Sequence, residues 1–215
     1  MKNITYILSL LILVACNNPK ENKVDSQKDS VTVPATSETE PVATVPKTIE
    51  EIKSLYINTA NQLEKGTLDS VAYKYNCNNE RSGTVTYFSQ GGSLKMVKHS
   101  YNEYDHFSAT DQFFVSADTL YFVYYNRTFW SFESGQAAEG ATKDDITEQR
   151  FYISNNQALQ CLEKKFAIRS HLPNQPTSAQ VANKIIKCND VKPLQNEFNK
   201  LLAFQKQDNK DCLGK

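Results

Sequence analysis

The sequence lacks the patterns by which enzyme chemistry is usually recognised. It has no Gly-x-Ser-x-Gly turn to expose a nucleophile, no phosphate-cradling glycine loop and no His-Glu-x-x-His helix. The common routes to hydrolysis and nucleotide binding therefore have no support. Net charge is also missing, with 24 Lys and Arg against 24 Asp and Glu. No basic surface is expected to gather nucleic acid. No two cysteines stand in the Cys-x-x-Cys spacing of zinc and redox sites. The reading therefore assigns no cofactor, no metal and no catalytic residue.

What is present begins with an address. Lys2 precedes an uncharged, largely apolar stretch from Ile4 to Ala15, which ends at Cys16. Spanning a bilayer takes roughly 20 apolar residues, so this stretch is a removable secretory signal rather than a membrane helix. Leu13-Val14-Ala15-Cys16 resembles the lipobox of bacterial lipoproteins. That resemblance implies cleavage after Ala15, diacylglyceryl transfer to the Cys16 thiol and anchoring to membrane lipid through the acyl chains. It places the chain in the cell envelope, and Asn17 in place of aspartate favours the outer membrane of a Gram-negative bacterium.

Residues 16–47 change character: Pro19, Pro34, Pro41 and Pro46, many Ser and Thr, mixed charges and no aromatic residue. Such a segment cannot bury enough apolar surface to offset its ordering entropy. The expectation is three parts: a lipoprotein signal peptide at 1–15, a lipidated cysteine and disordered tether at 16–47, and a single globular domain at 48–215.

Within 48–215 the expected fold class is α+β, a largely antiparallel meander sheet of three hairpins with an N-terminal helix and two C-terminal helices. Thr48 and Glu51 form a capping-box pattern, Ile52, Leu55, Tyr56 and Leu63 recur at helical spacing, and Gly66 stops the helix. Hairpins are expected around Gln90-Gly91-Gly92, Ala117-Asp118 and Asn155-Asn156, between arms rich in aromatic and β-branched residues. Two further arms, Thr128 to Phe132 and Ile146 to Arg150, flank a loop from Ser134 to Lys143. Thr177 with Gln180 predicts a helix over Val181 and Ile186, and a longer one follows from Asp190 through Leu194, Phe198 and Leu201.

Four cysteines remain beyond Cys16: Cys77, Cys161, Cys188 and Cys212. An even number in an exported chain predicts disulfides. Three pairings are possible, and Cys77 with Cys161 and Cys188 with Cys212 is the preferred one.

Two constellations are candidate sites. Adjacent aromatic residues along the strands put rings on both sheet faces, and an open face would offer Tyr121, Tyr125 and Trp130 to a glycan, peptide or envelope protein. His99 and His106, with Glu103 and Asp105, would be brought onto neighbouring strands by a turn near Asn102 and could serve acid-base chemistry. The leading expectation is a non-enzymatic, membrane-anchored binding protein with no nucleic-acid partner. The alternatives are an inhibitor or immunity-type protein acting on a secreted enzyme through the Ser134 to Lys143 loop, and a hydrolase using His99 and His106.

Overall fold

The computed structural model of the chain describes residues 44–135 and 139–213. The expected signal peptide, Cys16 and nearly all of the tether lie outside these residues.

Helix α1, Ile49–Glu64, starts where the sequence places it. The Thr48 hydroxyl accepts from the Glu51 amide, the Glu51 carboxylate accepts from the Thr48 amide, and Gly66 follows the last turn at φ +64°. Seven long strands come next: β1 (Asp69–Cys77), β2 (Arg81–Gln90), β3 (Ser93–Glu103), β4 (Phe107–Ser116), β5 (Thr119–Phe132), β6 (Thr142–Ser154) and β7 (Gln157–Arg169). A 3-10 turn at Ser178–Gln180, a short strand β8 (Lys184–Ile186) and helix α2 (Lys192–Lys206) complete the order. The strands form one eight-stranded antiparallel sheet in sequence order. Each strand therefore pairs with its chain neighbours, as tight reversals require. Ala117, Asp118, Asn155 and Asn156 adopt the left-handed conformation that two-residue hairpin turns demand, and Asn78 and Asn79 adopt it in the three-residue turn between β1 and β2.

The sheet is more extensive than three hairpins. The arms at Thr128 to Phe132 and Ile146 to Arg150 continue β5 and β6, and the first C-terminal helix is absent. The Thr177–Gln180 capping box does form, but it closes only the 3-10 turn. Ile185 and Ile186 instead extend the sheet, where Cys161 and Leu162 of β7 offer an unpaired edge. Ladder hydrogen bonds and the nearby disulfide outweigh a short stretch's helical preference.

Each helix covers part of one face. On one side Ile52 and Tyr56 of α1 pack on Met96, Phe114, Phe122 and Tyr152, with the Tyr56 ring 5.1 Å from both Phe114 and Phe122. Phe88, Met96, Phe114, Phe122 and Tyr152 are successive cross-strand partners, and register shifts follow Phe88, Phe114 and Tyr152. Bulges increase local twist, so three along one row bend the sheet at the end that α1 caps. On the other side Leu194, Phe198, Leu201 and Phe204 of α2 pack on Val85, Tyr87, Val97, Phe113 and Val123.

All four cysteines form disulfides, with a pairing that corrects the preferred one: Cys77 bonds Cys212, and Cys161 bonds Cys188. Five strands lie between β1 and β7. At about 4.8 Å per strand this separates Cys77 from Cys161 by on the order of 30 Å along the sheet, far beyond disulfide reach. The chain after α2 returns instead to the β1 edge, where the Asn76 amide donates to the Asp211 carbonyl. Cys188 lies two residues past Ile186, the β8 partner of Cys161.

Candidate functional site

Strand alternation separates the two faces residue by residue. On the face that carries α1, the cross-strand row Thr84, Ser100, Thr110, Asn126 runs across β2 to β5. A parallel row, Ser82, Asn102, Ser108, Thr128, runs beside it. Short hydroxyl and amide side chains thus tile four adjacent strands. Beyond the end covered by α1 they line a groove of about 1130 Å³, with Lys74, Lys210 and Asp211 as its charged lining residues. Ser100 Oγ lies 3.2 Å from Thr110 Oγ1 across the floor. Each hydroxyl both donates and accepts, so the floor can match a ligand of mixed polarity.

Trp130 and Phe132 continue the same face of β5 past Asn126 and Thr128. The indole N–H donates to the Asp105 carbonyl, the ring lies 4.3 Å from the His106 ring, and Phe132 meets it edge-on at 5.3 Å. Phe132 is 68% exposed. These contacts fix the indole before any ligand arrives. At the opposite flank Glu148, the β6 partner of Asn126, is buried between Arg150 at 2.9 Å and Lys164 at 3.5 Å. Burial alone would raise its pKa, but hydrogen bonds from Ser178, Arg150 and Tyr124 hold it below the ordinary carboxylate value.

The α2 face holds a buried polar network. His99, Asp111 and Tyr125 are cross-strand neighbours on β3, β4 and β5. Arg127 donates to both Asp111 oxygens, Nε at 3.1 Å and Nη2 at 2.7 Å, and its guanidinium lies 3.8 Å from the centre of the Tyr125 ring. Tyr125 in turn donates to Glu197 of α2 at 2.6 Å, and Tyr101 donates to Asp111 at 3.3 Å. Burial raises the Asp111 pKa to about 6 even though Arg127 pulls it down. Burial, with the positive charges of Arg81 and Arg127, lowers His99 to about 3. His99 is therefore neutral, stacked 4.3 Å from Tyr101, with Nε2 at 2.8 Å from the Tyr75 hydroxyl.

This geometry divides the residues singled out from sequence. Tyr121 and Tyr125, 1% and 4% exposed, lie in the interior, so neither presents a ring to solvent. Of the three aromatic candidates, Trp130 alone borders the open face. His99 and His106 are not brought together: the first lies under α2, and the second sits at the exposed β3–β4 turn against Trp130. That turn falls at Tyr104 to His106 rather than near Asn102, so Glu103 pairs with Phe107 and His99 with Asp111. The loop between β5 and β6 spans residues 133–141, of which 136–138 lie outside the described residues.

Among the described residues, no group of three or more His, Cys, Asp or Glu could hold a metal ion, and no helix is long and apolar enough to cross a membrane. Sequence reasoning missed the groove residues and the network of Tyr75, Tyr101, Asp111, Arg127 and Glu197. The available signal was the alternation Ser82, Thr84, Thr86 in β2 and Ser108, Thr110, Gln112 in β4. No family model matches the chain, and no curated protein or solved structure matches it either.

Proposed function

We propose that the chain is a lipid-anchored protein of the cell envelope whose sheet domain binds a neutral glycan in the groove across β2 to β5, without catalysing a reaction on it. The supporting observation is the pair of Ser, Thr and Asn rows that floor a groove of about 1130 Å³ on a face left open by α1. A sugar presents hydroxyls that donate and accept, and carries no charge to be matched. Side-chain hydroxyls and amides with the same dual capacity meet that need, whereas a strongly charged ligand would call for a cluster of opposite charge. Trp130, held in place at the end of the same face, supplies a ring on which the apolar side of a pyranose can stack. The anchor at Cys16 and a tether of about 30 residues would hold the groove on the order of 30 Å from the bilayer, within reach of envelope polysaccharide.

Titration calorimetry with cello-, chito- and malto-oligosaccharides tests the reading. Saturable binding to at least one series is expected. Trp130→Ala, and separately the Ser100→Val, Thr110→Val double substitution, should each weaken it about tenfold, with circular dichroism showing that the sheet is retained at the assay temperature. Absence of binding to all three series, or affinity untouched by both variants, would exclude the groove as a glycan site.

A further inference from the structure

A second cavity, of about 360 Å³, lies between the sheet and α2, remote in chemistry from the groove. Its polar lining is Arg81 of β2, His99 of β3, and Asn196, Glu197 and Lys200 of α2, with Leu201 in its apolar wall. His99 is 1% exposed, yet its Nδ1 has no hydrogen-bond partner among the described residues. A buried polar atom left in this state is costly, so it points to a group that the cavity receives.

The neighbours fix which kind of group. The positive Arg81 guanidinium stabilises negative charge on the Tyr75 oxygen, so the phenol turns a lone pair toward it rather than its proton. The phenolic proton is thereby directed to His99 Nε2, 2.8 Å away. In a neutral imidazole that accepts at Nε2, the proton resides on Nδ1. The orphan atom is therefore a donor. Lys200 adds a cation that forms no ion pair among the described residues, and Asn196 adds an amide. The carboxylates nearby are already engaged: Glu103 with Arg81 at 3.2 Å, and Glu197 with the Tyr125 hydroxyl at 2.6 Å and with Arg127 at 3.9 Å. Donors thus outnumber free acceptors.

We propose that this cavity binds a small oxyanion, a carboxylate or a phosphate group, with one oxygen accepting from His99 Nδ1 and the charge met by Lys200 and Arg81. Charge-assisted hydrogen bonds of this kind hold an anion without a metal.

The chain has three histidines, so ring-15N labelling of the full chain gives a signal for His99 with His106 and His171 as internal references. The free protein should show His99 protonated at Nδ1. Titration with inorganic phosphate, and separately with acetate, at constant ionic strength and neutral pH should move the Nδ1 resonance saturably for at least one of them. Lys200→Gln should weaken that response about tenfold, whereas Lys206→Gln, on the same helix but outside the cavity, should not alter it. A free protein protonated at Nε2 would overturn the proposal, because Nδ1 would then repel an anion. So would a His99 signal indifferent to both anions, which would mean that water alone satisfies the nitrogen. Equal weakening by the two lysine variants would also overturn it, as a diffuse charge effect.

Discussion

Gly83 shows how a single residue can hold the α2 face together. A Cβ there would lie 2.7 Å from the Ser100 carbonyl oxygen, 2.8 Å from Tyr101 Cβ and 2.9 Å from the Tyr75 hydroxyl. The first of these is backbone and cannot turn aside. Gly83→Ala is therefore expected to cost about 1–3 kcal/mol in urea unfolding and to push the Tyr75 hydroxyl away from His99, which the His99 ring shifts would report. His99 and Asp111, neighbours across β3 and β4, pull stability in opposite directions with pH. His99 is lowered to about 3 from 6.5, so the unfolded chain takes up a proton that the folded chain refuses. Its contribution is present above pH 6.5 and declines as pH falls toward 3. Asp111 is raised to about 6 from 3.8, so its contribution is present below pH 3.8 and is lost as pH rises through 6. Between pH 4 and 6 the two offset each other. Relative to the unaltered protein, Asp111→Asn should lose stability more steeply as pH falls through that window. His99→Gln should gain it, each with a slope of at most about 1.4 kcal/mol per pH unit. Denaturant midpoints measured at several pH values decide the matter, and parallel profiles for the three proteins would contradict it.

At the scale of elements, the two disulfides fasten the pieces that the meander leaves weakest. β8 is a three-residue strand on the sheet edge, and the Cys161–Cys188 bridge closes 27 residues around it. Cys77–Cys212 closes 135 residues and ties the segment after α2 to edge strand β1. Loop-closure entropy assigns about 3.5 kcal/mol to the shorter and about 5 kcal/mol to the longer. The double substitution Cys77→Ser, Cys212→Ser is accordingly expected to lower unfolding free energy more than Cys161→Ser, Cys188→Ser. Guanidinium titrations of both variants check the ranking. The long bridge also keeps Lys210 and Asp211 at the groove, so losing it should loosen that rim before the sheet unfolds.

For the whole molecule, the arrangement proposed is a sheet domain held at the membrane by a lipid on Cys16. Cys16→Ser should shift the protein from the membrane fraction to the soluble fraction and abolish labelling by palmitate. An unmodified mature N-terminus in mass spectrometry of the unaltered protein would contradict the anchor. A single myristoyl-like chain binds membranes only marginally, so two or more acyl groups are expected on the mature cysteine.

The sequence by itself determined what depends on near neighbours in the chain. The Thr48–Glu51 cap and Gly66 bound α1, and the turns at Gly91-Gly92, Ala117-Asp118 and Asn155-Asn156 reverse the chain where the residues tolerate left-handed angles. Antiparallel order followed, because a two-residue turn leaves no other way to pair. Tertiary structure alone decided which side chains meet across strands. Thr84, Ser100, Thr110 and Asn126 become one floor, and His99 finds Asp111 and Tyr75, only once the register is set. A slip of one residue would exchange the faces: the tight turns set where each hairpin begins to pair, but the bulges after Phe88, Phe114 and Tyr152 shift that register by one, and they form only against the packed neighbouring strands. It also decided the cysteine partners and turned Ile185 and Ile186 into an edge strand, since both depend on where a distant strand leaves its hydrogen bonds open.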